Sequence, residues 1–216
     1  MVERKKIDSL LIVLLILVPI FLIVIALLGG ICIKLSVDKA QAEKLANEYK
    51  AVIEEQKEAE KSASEYQLAY NNLISAMLDD AALAESNGNL IIQVWNNAIW
   101  SKQDGATDKY TMEDGKFVSD FNDALSNLFS DESFSNDMER LSANQQRIKA
   151  DMKAMVNPPE GYKEPYKALK DLYDSYLSFS NIVLNCNGSL ESFSNDFSEA
   201  DEDIIKKYYT AELYTK

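Results

Sequence analysis

An uninterrupted apolar run from Leu10 to Ile33 leads into a hydrophobic seam of helical spacing that reaches Ala98. Together they point to one kind of shape: a helix that crosses a membrane and continues as the spine of a helical assembly. At about 1.5 Å per residue the run is roughly 36 Å long, enough for a hydrocarbon core of about 30 Å. A secretory leader has an apolar stretch of only about 7 to 15 residues and a small-x-small cleavage site. Here Leu27 and Leu28 stand two residues before Gly29 and Gly30, and Cys32 follows Ile31 where a lipidated cysteine needs a small neighbour. The run therefore reads as an uncleaved signal anchor. Pro19 within it reads as a tolerated kink.

Charge sets the orientation. Arg4, Lys5 and Lys6 crowd the amino side, whereas Lys34 and Lys39 alternate with Asp38 and Glu43 beyond the run. The amino terminus is expected in the cytoplasm and the rest outside the cell membrane. The expected division is a cytoplasmic tail over residues 1–8, a transmembrane helix over 9–34, a stalk helix over 35–61 and an extracytoplasmic bundle over 62–216. So short a tail carries no signal inward by itself.

The net charge of −13 becomes −15 for residues 35–216 once the basic tail is set aside. Such a surface repels nucleic acid and anionic headgroups, leaving the bilayer around 9–34 and an envelope protein as the expected partners. The plain reading of the charge is that it keeps an exported helical domain soluble. Cys32 and Cys186 imply no disulfide framework, and Cys186 reads as core packing.

The seam comprises Ala42, Leu45, Tyr49, Val52, Gln56, Ala59, Ala63, Tyr66, Tyr70, Leu73, Met77, Ala81, Ala84, Gly88, Ile91, Trp95 and Ala98. A mean spacing near 3.5 describes one supercoiled helix from about 36 to 101, packed against others. Gly88 falls inside the packed stripe although Asn87 and Asn89 flank it like a turn. Residues 101–115, with Asp104-Gly105 and Asp114-Gly115, have no helical period and read as a tip loop. A second helical region follows over 117–156, with recapping around Ser130 to Glu132, and Asn157-Pro158-Pro159 ends it. A third helix carries Tyr166, Leu169, Tyr173, Tyr176, Phe179 and Val183. Ser189 caps a fourth. Matching lengths and short connections predict an all-α, up-down-up-down four-helix bundle. The stalk seam is weak, so the stalk reads as a solvated helix, with a weak homodimer as the alternative.

The strings Ser130-x-Glu132-Ser133-Phe134-Ser135-Asn136-Asp137 and Ser189-x-Glu191-Ser192-Phe193-Ser194-Asn195-Asp196 match. Both read as helix starts that have converged on capping residues.

The chain has no histidine. That removes histidine-based nucleophile activation, histidine general acid-base work and most zinc or iron sites. There is no G-x-S-x-G and no Gly-rich phosphate loop. The expectation is a non-enzymatic protein without cofactor or metal. Calcium, which takes oxygen ligands, is the one metal with candidates, at Asp79 and Asp80 or at Asp201, Glu202 and Asp203. Both groups read as solvated acidic faces. Tyr66, Tyr70, Trp95, Trp100, Tyr173 and Tyr176 are candidate walls of an interhelical pocket, although an aromatic stripe at helical spacing is more often core.

The run from Ala84 to Ile99, with Asp120 to Leu128 and Asn157-Pro-Pro-Glu-x-Tyr-Lys, resembles an uncharacterised family of bacterial membrane-anchored or exported helical proteins. The resemblance implies an extracytoplasmic location and no assigned reaction. The functional expectation is an accessory or scaffold component of the cell envelope that acts by protein interaction. The alternative is a sensor-like small-molecule-binding module that passes its state to a partner.

Overall fold

The computed structural model describes residues 39–215, with side chains from Glu43 onward, together with Val18, Pro19 and Leu22. Apart from those three positions, the expected transmembrane helix over 9–34 and the cytoplasmic tail lie outside the described residues. Among the described residues no helix is long and apolar enough to cross a membrane.

The described residues are almost wholly helical. Helix α1 spans Lys39–Ile99, α2 Asp108–Thr111, α3 Phe121–Ser130, α4 Glu132–Ala154, α5 Lys163–Leu184 and α6 Leu190–Glu212. Strands β1 (Met112–Glu113) and β2 (Lys116–Phe117) form a small antiparallel hairpin around Asp114-Gly115. The segment expected to be a featureless loop therefore holds a helical turn and a hairpin. Asp114 and Gly115 both take positive φ, at 49° and 74°, the conformation a two-residue hairpin turn requires. The second helical region accordingly starts at Phe121, with Phe117 taken into β2.

The chain divides into two compact units, Met1–Lys57 and Glu58–Lys216. In the first, Leu45, Tyr49 and Val52 of α1 are exposed. Lys44 and Glu48, both exposed, stand 4.0 Å apart one turn from each other, a pair that adds little stability.

In the second unit, side-chain contacts fix how the helices run. Along α1 and α3–α4, Tyr66 meets Met155, Asp80 meets Asn144, Asn87 meets Met138 and Trp95 meets Phe121, so the pairing is antiparallel. Along α1 and α6, Tyr70 meets Ala211 and Gly88 meets Phe197, again antiparallel. Ser175 with Asp203 and Phe179 with Phe197 set the antiparallel register of α5 and α6. The centre of this unit is filled by Tyr70, Met77, Ile91, Leu128, Leu141, Ile148, Leu169, Tyr176 and Phe179, all inaccessible to solvent.

The caps explain where the helices begin. Asp131 closes α3 and opens α4, accepting from the Ser133 and Phe134 amides. Lys109, 2.8 Å away, and those amides hold its carboxyl below the usual carboxylate range. Ser189 opens α6 through a reciprocal capping box with Ser192. The two echoed strings thus both begin helices but differ in register by one residue. The variable position is Asp131 in one, which takes over the cap, and Leu190 in the other, which cannot. Ser189→Ala is expected to destabilise the chain by about 1 kcal/mol in denaturant unfolding, because the Ser192 amide loses its partner.

Candidate functional site

Among the described residues Asp80 is the one buried carboxylate. It is 3% exposed, which corrects its reading as part of a solvated acidic face. The seam itself turns it inward: Leu73, Met77 and Ala81 follow each other in two successive steps of four. Asp80 follows Leu73 by seven residues and Met77 by three, so it stands in the stripe beside Ala81 and both are buried. The Tyr176 hydroxyl donates to Oδ2 at 2.6 Å, and Asn144 Nδ2 donates to Oδ1 at 2.7 Å. One carboxylate thereby ties α1 to α4 and α5. The Ser180 hydroxyl donates to the Tyr176 carbonyl at 2.8 Å, and Gln145 Nε2 donates to Ser180 Oγ and Asn181 Oδ1, extending the network along α4 and α5.

Burial pushes the Asp80 carboxyl above its ordinary value, against the opposing pull of Tyr176, Asn144, Arg147 and Arg140. The same burial, with Asp80 beside it, drives the Tyr176 phenol far up. Hydrogen bonds to both of its oxygens hold the Asp80 carboxyl in one place.

Asp80 also forms part of the wall of a groove of about 430 Å³ between α1 and α4. On the α1 side stand Asn72, Asp79 and Asp80; on the α4 side stand Arg140, Asn144 and Arg147. The chain has three arginines, and two of them are here. Each pairs with a carboxylate of its own helix, Arg140 with Asp137 at 3.1 Å and Arg147 with Asp151 at 3.8 Å. Among the described residues no ion pair closes the groove from Asp79 or Asp80 to either arginine.

A second concavity, of about 140 Å³, is apolar and lies among α1, α5 and α6, with Met77, Ala81, Leu172 and Ile204 in its lining. Leu78 and Ile205 belong to the same lining and are each 45% exposed.

The six aromatic positions do not share one cavity. Tyr66 and Trp95 are 29 residues apart on α1, about 43 Å along the helix. Tyr66 packs edge-on against Tyr162 and donates to the Met155 carbonyl, and burial pushes its phenol up to about 12. Tyr70 is fully buried and donates to the Ala211 carbonyl at 2.7 Å. Trp95 stacks on Phe121 and lies against Phe193. Tyr173 and Tyr176 adjoin each other, while Trp100 is 73% exposed just past the end of α1.

Among the described residues no group of three or more acidic or sulfur side chains is placed to hold a metal ion. Asp203 accepts a hydrogen bond from Ser175, Glu202 pairs with Lys206, and Asp201 lines the apolar crevice, so the three point apart. Cys186 is half-buried beside the core, and burial pushes its thiol up to about 11.

The groove escaped sequence reading because its walls come from positions about 60 residues apart. The signals present were the double step of four at Asp80 and the pairing of two rare arginines seven residues apart on one helix face. Comparison with protein families, with curated proteins and with solved structures finds no match.

Proposed function

We propose that this chain is a non-enzymatic, single-pass anchored protein of the cell envelope, held in the bilayer through residues 9–34. Its extracytoplasmic part is an up-down-up-down four-helix bundle on a stalk, acting by contact with another envelope protein as an accessory or scaffold component. The observation that carries this reading is the apolar crevice rimmed by exposed Leu78 and Ile205. A crevice of that kind accepts an apolar anchor from a partner, and interfaces draw most of their energy from a few such insertions. The antiparallel registers of α1 with α4 and α6, and of α5 with α6, support the bundle topology. The basic tail and the apolar run of the sequence support the anchor and its orientation.

The test is affinity purification of the tagged full chain from its own membranes at native expression. One envelope protein is expected to co-purify in fixed ratio with the unaltered chain and to be lost with Leu78→Glu or Ile205→Glu. Both substitutions fall on exposed side chains and leave the unfolding midpoint nearly unchanged. Recovery of the unaltered chain alone after mild crosslinking would contradict the reading.

A further inference from the structure

We infer that the groove between α1 and α4 is a binding site for a small zwitterion of the amino-acid or betaine class. The inference stands apart from the protein-contact reading and holds whether or not that reading does.

The charges on the groove walls carry the argument. Asp79 and Asp80 stand on the α1 side and Arg140 and Arg147 on the α4 side, so the formal charges of the walls cancel. Opposite charges that face each other across a groove would ordinarily pair. Here the guanidiniums instead pair with Asp137 and Asp151 of their own helix, exposed pairs that are worth little and are readily exchanged. What remains between the walls is a space of about 430 Å³, within the range of small-molecule sites.

Only certain ligands suit that space. A simple anion would meet the arginines but also two carboxylates, in a region, residues 35–216, of net charge −15. A simple cation would meet the carboxylates but also two guanidiniums. A molecule with a carboxylate at one end and an ammonium group at the other satisfies both walls. Its carboxylate takes the forked donors of Arg140 or Arg147, and its ammonium lies against Asp79.

Asp80 positions the wall. Its two oxygens are held by Tyr176 and Asn144, which fixes Asn144 between the two arginines on the α4 surface. Arginines at 140 and 147 stand two turns apart, about 10 Å along the helix, and flank that amide. The groove is thus anchored from below by the buried network and charged at its rim.

The experiment is calorimetric titration of the full chain in detergent micelles with the standard amino acids and glycine betaine, with acetate and methylammonium as single-charge controls. At least one zwitterion is expected to bind saturably, with neither control matching it. Asp79→Asn and at least one of Arg140→Gln and Arg147→Gln are expected to weaken binding at least about 10-fold, the loss typical of one charge-assisted contact. All three positions are exposed, so unchanged unfolding midpoints confirm that a loss is local. Absence of saturable binding by every zwitterion would overturn the proposal. So would binding that survives all three substitutions, or acetate binding as tightly as the zwitterion and insensitive to Asp79→Asn, which would mark a plain anion site.

Discussion

Gly88→Ala is expected to destabilise the chain by about 1–3 kcal/mol, although alanine is the better helix former by about 1 kcal/mol. A methyl group built on Gly88 would lie 2.1 Å from Cε2 of Phe197 and 2.6 Å from its Cζ. The ring has nowhere to go. Phe197 is 5% exposed, stacks on Phe193 at 6.1 Å and rests against Phe179 at 5.1 Å, so making room means moving three aromatic rings or pushing α6 off α1. A double mutant settles the cause. Phe197→Leu alone loses packing, yet combined with Gly88→Ala it is expected to cost clearly less than the two separate losses added together. Additive costs in urea unfolding would mean that the glycine matters for some reason other than this contact.

Tyr176→Phe is expected to cost about 1.5–3 kcal/mol, the range for a buried hydrogen bond to a charged group. The change removes the donor at 2.6 Å from Asp80 and leaves a buried carboxylate oxygen without it. In an Asp80→Asn background the same change should cost markedly less, because no charge is left stranded. The pH dependence follows from the direction of the Asp80 shift. Burial lifts its folded-state pKa above the ordinary 3.8, so the folded chain keeps this proton to a higher pH than the unfolded chain. Ionised Asp80 is thus a burden at neutral pH, and the burden lifts as pH falls through the raised value. The stability of the unaltered chain relative to Asp80→Asn is therefore expected to improve between pH 7 and pH 4. A difference that stays flat over that interval would mean that Asp80 titrates normally.

The helices were legible because their signals are local. Apolar spacing marks α1, α4, α5 and α6, Pro158-Pro159 closes one helical region, and Ser189 opens another through a cap that sequence alone specifies. Gly88 could be placed in the packed stripe because the seam runs through it in phase. The α2 turn and the hairpin after it escaped because four-residue and two-residue elements have no period to read. The candidate sites were less legible for a different reason. Periodicity tells which residues face inward, but not which levels of neighbouring helices come together. The six aromatics therefore looked like one wall, yet three stand at separate levels of α1, one lies past its end and two are on α5, while Asp80 found donors 64 and 96 residues away. The cue at Asp80 was its place beside the double step of four, where the stripe widens enough to bury a carboxylate.

We propose that this chain works through a partner seated on the face formed by α1 and α6. The most direct measurement places a photocrosslinking amino acid at Leu78, at Ile205 and, on the exposed α4 surface, at Glu139, each in the full chain in intact membranes. The same single adduct is expected from positions 78 and 205, and none from 139. Equal labelling from all three positions, or no adduct from 78 and 205, would contradict it.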